Sequence, residues 1–233
     1  MEYVIGGMGR AFDDRTAFAI QVLEAGQRSG MPVNVRLWLE DPPTSSQPAG
    51  MAIKAVSEQG DPGPYLRRLR EGFFCRGLKL DTLDGLLAEA RAVGGLDLDR
   101  LRIGLSSHGV LELLGRDLEQ AKAVDEEHHG DGQDRVELPS LEFVGAGGKV
   151  HGVYGPSSYE SLRQAALEAG AVERQSNPSV EEALSQFGTM TTAEVAAVCQ
   201  LAGPAAPAAL WRLAGEWRVK WERCGTGELW SAA

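Results

Sequence analysis

The sequence predicts an α/β chain in three parts: a small strand-bearing frame, a helical insertion that interrupts it, and a short α-rich module at the C-terminus. Three observations carry that expectation. Apolar segments of strand type, EYVIGG at the start and LPSLEFV with KVHGVY further on, flank a long stretch whose apolar residues recur at spacings of three and four. Glycines and prolines of the kind that end helices break that stretch at regular intervals. After Gln175 the composition changes, and four of the five tryptophans lie beyond it.

Taken in order, EYVIGG is a short β-type run ending in paired glycines and reads as a strand. Asp13 or Asp14 caps a helix through TAFAIQVLEAGQRS, which Gly30 and Pro32 bring to an end. VNVRLWLE alternates and reads as a short extended segment. The loop EDPPTSSQP is stiffened by three prolines, and Ser45 and Ser46 can cap the helix after it. Residues 49 to 129 read as almost entirely helical. AGMAIKAVSEQ stops at GDPGP, and PYLRRLREGFFCRG places Leu66, Leu69, Phe73 and Phe74 on one face. Asp81 caps TLDGLLAEARAV, which closes on Gly94 and Gly95. LDLDRLRIGLSS gives a short helix, and VLELLGRDLEQAKAV carries Leu111, Leu114 and Leu118 as its stripe. Helices with one apolar stripe and short connections pack as a compact helical subdomain.

The polar stretch DEEHHGDGQDR leads to VELPSLEFV, where a proline stands at the mouth of a strand and removes a backbone donor. LPSLEFV is a strand, GAGGK a hairpin turn and KVHGVY the returning strand. Ser157 or Ser158 caps YESLRQAALEAG, whose apolar face is Leu162, Ala165, Ala166 and Ala169. A ββα ending whose first strand opens with proline matches the second half of a thioredoxin-type fold. There the Leu138–Pro139 peptide is cis and Leu138 offers its backbone to an extended substrate; an ordinary trans proline at a strand start is the alternative. Beyond Gln175, Pro178 takes the first helical position of NPSVEEALSQF, Thr191 or Thr192 caps AEVAAVCQL, AAPAALWRLAGEW is a third helix, and RVKWERCGTGELW gives two strands around Gly-Thr-Gly. Those are the parts of a winged-helix module. The expected division is 1–47 with 131–175 as a thioredoxin-like domain, 48–130 as a helical insertion, and 176–233 as a winged-helix-like C-terminal module.

Composition narrows the function classes. The 233 residues are 43% hydrophobic, enough for real cores, and 23 basic against 33 acidic residues give a formal charge of −10. With no local basic cluster, that charge repels a phosphate backbone, so no nucleic acid is expected. No run approaches the roughly 18 apolar residues of a membrane span, and MEYVIGGMGRAFDD is too acidic for a secretory signal, so a cytoplasmic chain is expected. Cys75, Cys199 and Cys224 are odd in number and form no CxxC, so they read as small buried residues rather than a disulfide framework or zinc site. Glu126, Glu127, His128, His129 and Asp131 include metal-ligating types, but adjacent histidines cannot both point inward from one regular element, and no metal is expected. GAGGK lacks the phosphate-loop spacing, and His151 reads as structural. The C-terminal module has four basic side chains against six acidic, and its third helix a single arginine, which favours protein docking over DNA reading.

LWLEDPPTSSQPAGMAIKAV, followed by YLRRLREGFFCRGLKLDTLDGLLAEARAVGGLDLDRLRIGLSS and GRDLEQAKAV, resembles the DsbA-like family of thioredoxin-fold proteins. That family holds the disulfide oxidoreductases, the 2-hydroxychromene-2-carboxylate isomerases and the kappa-class glutathione transferases. The resemblance covers roughly residues 1 to 172 and implies a thioredoxin fold split by a helical insertion. It implies a peptide cleft at Leu138 and Pro139, with Trp38, Asp41, Ser45 and Ser46 close to the ligand pocket of the glutathione-using branch. The strand and the Cys-x-x-Cys or serine-bearing helix with which the family begins do not occur here, so the resemblance supplies no catalytic residue in this chain. A start upstream of Met1, a second chain filling the gap, or a reduced sheet each account for that. The expectation is a member of the thiol-disulfide oxidoreductase class that is redox-inactive as it stands. A non-catalytic peptide- or protein-binding adaptor is the alternative, and a glutathione-dependent isomerase or transferase a further one. No cofactor is expected apart from glutathione. The expected partner is a protein or peptide at the proline strand, with homo-oligomers left open.

Overall fold

A computed structural model describes residues 2–6, 14–173 and 176–233. The chain mixes helices with small antiparallel sheets, in keeping with the general α/β class, and helices dominate.

The first helix, α1 (Arg15–Ser29), starts at Asp14, whose side chain accepts from the Ala17 amide, and ends at Gly30 in the left-handed conformation. The Asp13 cap lies outside the described residues. Residues 2–6 are not a strand as expected: they pair with no ladder, because side chains take their backbone groups instead. Asp117 accepts from the Ile5 amide at 2.8 Å, and Lys54 Nζ donates to the Tyr3 carbonyl at 3.3 Å. Gly7, the last residue of that predicted strand, lies outside the described residues.

VNVRLWLE is likewise not extended. Its second half forms α2 (Arg36–Glu40), tied by an Arg36–Glu40 pair one turn apart at 3.0 Å, and Leu37 and Trp38 are both buried although adjacent. Alternation implies that neighbours face opposite sides; here both sides are covered.

A run of helices follows as α3 (Gln47–Ser57), α4 (Gly63–Glu71) running on into a π-helical turn (Gly72–Arg76), α5 (Leu83–Val93), α6 (Leu98–Gly104) and α7 (His108–Lys122). Its core gathers Trp38, Ile53, Val56, Leu69, Phe73 and Leu86. Trp38 meets Phe18 edge-on at 4.9 Å between ring centroids and Phe74 at 5.6 Å. Two expected details shift. Thr82, not Asp81, caps α5, because Asp81 instead accepts the Thr44 amide at 2.7 Å. The buried stripe of α7 is Val110, Leu114, Asp117 and Ala121 rather than Leu111, Leu114 and Leu118, since Asp117 turns inward to meet Lys54 at 2.8 Å.

The next unit is a hairpin, β1 (Leu141–Val144) with β2 (Val150–Val153), on which α8 (Tyr159–Glu168) packs from its Ser158 cap. Pro139 precedes the ladder by two residues, so its missing N–H costs the sheet nothing. Ser140 fastens the strand entry instead: its hydroxyl donates to the Glu137 carbonyl and accepts from the Gly155 amide at 3.0 Å.

The C-terminal module runs α9 (Val180–Phe187), β3 (Met190–Thr191), α10 (Thr192–Val198), α11 (Ala205–Gly215), β4 (Val219–Cys224) and β5 (Gly227–Ala232). Its strands pair antiparallel in the order β3-β5-β4. Pro178 sits outside α9, which Ser179 caps in a reciprocal box with Glu182; Thr191 and Glu194 repeat the device at α10. The module closes its own core on Leu184, Val195, Leu210 and Trp230, and the Trp230 indole donates to Thr192 Oγ1 at 2.9 Å. Among the described residues no helix is long and apolar enough to cross a membrane.

Candidate functional site

The residues expected to form one cleft fall in four places. Leu138 and Pro139, joined by a cis peptide, are exposed ahead of β1; Leu138 lies against Gly6, whose carbonyl accepts from Arg135. Trp38 is 1% exposed and belongs to the helical core, where its indole spaces α1 from the end of α4. Asp41 lies at the surface, paired with Lys79 at 2.6 Å. Ser45 borders a hollow of about 690 Å³ that Thr44, Gln47, Met51, Asp81 and Arg102 also line. Ser46 occupies the cap position of α3 without a side-chain cap bond, while Ser45 Oγ accepts from the Gln47 amide at 3.0 Å. Leu138, Pro139, Trp38 and Asp41 do not line that hollow.

Each cysteine is buried. Burial first and Glu71 second push the Cys75 thiol up to about 11; burial and then the nearby Cys75 push Cys224 to about 12; burial raises Cys199. A thiol attacks as its thiolate, and these environments favour the protonated form. The histidines beside the hairpin serve packing: His128 stacks on Tyr154 at 4.2 Å, and a His129 ring nitrogen lies 2.9 Å from the Val124 carbonyl. His151 pairs with Glu168 at 3.0 Å.

The most developed polar constellation escaped sequence reading. Glu71, 4% exposed, sits between Arg67 at 2.6 Å and Arg76 at 2.9 Å, and both arginines reach across to the C-terminal module. Arg67 holds Glu194 with two guanidinium nitrogens and donates to the Thr189 carbonyl at 3.1 Å; Arg76 holds Glu222 at 3.0 Å. Burial works most strongly against the Glu194 charge, but the Arg67 guanidinium and the Thr191 hydrogen bonds together outweigh it and keep that carboxyl below the ordinary range. Arg67 is correspondingly raised, first by its hydrogen bond to Glu194. Beside this network the turn between β4 and β5 enters the helical body. Thr226 exchanges bonds with Val33 at 3.0 and 3.1 Å, and a Cβ on Gly225, at φ +52°, would stand 2.0 Å from the Val33 carbonyl oxygen. A π-helical turn carries Cys75 and Arg76 at this junction, and RRLREGFFCR has no periodic sign of it.

No family model matches the chain. Two curated relatives do. The chain is 32% identical over 180 residues to the ClpXP adapter protein SpxH of Halalkalibacterium halodurans, an alignment covering 74% of this chain and 55% of the relative. It is 30% identical over 189 residues to the ClpXP adapter protein SpxH of Shouchella clausii, covering 78% of this chain and 59% of the relative. The chain thus spans a little over half the length of the curated relatives it matches. Both names describe adapters, and they overturn the assignment to the DsbA-like oxidoreductases: the proteins to which this chain is similar are named for adapting ClpXP, not for redox chemistry.

Proposed function

We propose that this chain is a non-catalytic protein-binding adaptor that brings a partner protein to a ClpXP-type protease. The similarity to two ClpXP adapter proteins, running over about three quarters of the chain, carries the reading. The buried thiols with raised pKa values agree with it, since an adaptor needs no nucleophile. In this reading the β1–β2 hairpin with α8 is the ββα half of a thioredoxin-like unit. The order helix, strand, two helices, two strands from α9 to β5, with β5 central, makes the C-terminal module winged-helix-like. Its acidic balance and alanine-rich α11 suit a protein contact. The partner's extended segment lies beside Leu138 and Pro139, where the outer edge of a two-stranded sheet offers backbone groups for strand addition.

The test is turnover. Proteins whose half-life lengthens when the gene is deleted are purified and incubated with ClpXP, with and without this chain. At least one is degraded several-fold faster with the chain present, and Leu138→Asp, a change at an exposed position, removes the acceleration while leaving the melting temperature in place. Half-lives unchanged by deletion, together with degradation rates indifferent to the chain, overturn the reading.

A further inference from the structure

The junction between α1 and the C-terminal module contains a second surface. A groove of about 550 Å³ runs between the last turn of α1 with Met31 and Pro32 on one side and Pro207 with Trp211 on the other; Glu228 and Thr226 close it along the hairpin. Its lining is mixed: Leu23, Pro32, Val33 and Pro207 are apolar, while Gln27, Thr192 and Thr226 are polar. Leu23 on α1 is 40% exposed at the rim, and Ile20, one turn earlier, extends the apolar edge. Trp211 is half exposed, yet its ring is fixed: it meets Trp221 edge-on at 5.2 Å and Trp230 edge-on at 5.0 Å. An indole that is both accessible and immobilised binds at little entropic cost, as the central aromatic residues of interfaces do.

The charge around the groove selects the occupant. Among the described residues Glu228 is the only acidic or basic side chain lining it and has no ion pair, although Arg223 stands opposite it in the β4–β5 register. Gln27 and Gly30 line the groove at the C-terminal end of α1, whose last carbonyls carry partial negative charge; Arg28 of the same turn points its charge at Glu24, 3.9 Å away, and Ser29 Oγ donates to the Ala25 carbonyl at 2.7 Å. A fixed indole face, a carboxylate and a helix C-terminus together favour a cation with apolar neighbours, and the net charge of −10 draws such a segment in. Arginine fits better than lysine, because a planar guanidinium can lie on the indole while donating to the carboxylate.

We propose that this groove docks a short segment of a partner protein in which an arginine is flanked by leucine-like side chains. The inference rests on the adaptor reading only in taking the partner to be a protein. It adds a contact distinct from the Leu138 strand.

The test uses the full chain and three acetylated, amidated peptides that differ only at the centre: Leu-Arg-Leu, Leu-Gln-Leu and Leu-Glu-Leu. Binding is followed by tryptophan fluorescence and titration calorimetry. The arginine peptide binds about ten-fold more tightly than the glutamate peptide, a ratio that added salt reduces. Glu228→Gln, a change at the surface, brings that ratio close to one without moving the melting temperature, and Trp211→Phe weakens all three peptides. Equal affinities for the three peptides, no binding up to millimolar concentration, or a preference that survives Glu228→Gln overturns the proposal. Failure here with intact delivery to ClpXP leaves the adaptor reading standing; arginine-selective binding without delivery removes that reading and keeps the groove.

Discussion

The C-terminal module and the β1–β2 hairpin are both small units built around antiparallel pairs, and they are stabilised in opposite ways. In the module Ala183, Leu184, Val195, Ala206, Leu210 and Trp230 are each 1% exposed or less, so six elements enclose a core of their own. In the hairpin Leu141 and Val150 are 40% and 49% exposed and Val144 is 66% exposed, and α8 buries only Ala165 fully. A two-stranded sheet is marginal by itself in water and depends on what packs against it. Stability is therefore concentrated in the module and its dock, while the hairpin keeps a surface available for a partner.

The largest effect expected from that contrast is at Trp230. Trp230→Ala removes a fully buried indole, its hydrogen bond to Thr192 and its edge contact with Trp211, and costs about 3–5 kcal/mol, read from urea unfolding followed by far-UV circular dichroism. A cost below about 1 kcal/mol would mean the module has no closed core. The dock comes next. Gly225→Ala places a methyl against the Val33 carbonyl in a left-handed backbone, and costs about 2–3 kcal/mol. The Thr226 amide, which bonds the Val33 carbonyl, then exchanges its hydrogen faster, and the amides of α10 and α11 keep their protection.

How much of this was legible follows the same division. Where a signal is local, reading succeeded: Thr191 as a cap, Gly30 as a terminus and GAGGK as a hairpin turn each depend on residues within one turn of chain. Where the decisive partner is distant, it failed. EYVIGG has strand composition, but Asp117 and Lys54 on α7 and α3 take its backbone groups, and no pattern within six residues reveals that. The dock is the extreme case, since Arg67 and Glu194 are 127 residues apart and each looks locally like a solvated helix charge. The expected site residues lie apart for a related reason. Trp38 was placed by family position, and the aromatic neighbours that bury it come from α1 and the end of α4.

The dock also gives the comparison a dependence on acidity. Glu194 has a lowered pKa in the folded chain against an ordinary value of 4.5, so its pairing contributes fully above pH 4.5 and is lost as pH falls through the lowered value. Between pH 6 and 3 the exchange protection of Thr226 should therefore drop before that of the module core. Glu194→Gln flattens the acid limb and lowers the protection already at neutral pH; an unchanged limb would assign the acid loss to other carboxylates.

The smallest effect is expected in the hairpin, and it decides whether the contrast belongs to the isolated chain. Leu141→Ala removes a side chain that already has 40% of its surface in water, on a strand with one neighbour, so the loss should stay below about 1 kcal/mol. The same change in a closed core costs about 2–5 kcal/mol. Measured across a range of protein concentrations, a cost that rises towards the larger figure as concentration increases would mean that a second copy covers β1. The exposed edge would then be an interface between copies and closed to other strands. A small cost independent of concentration leaves the edge open, as strand addition beside Leu138 requires.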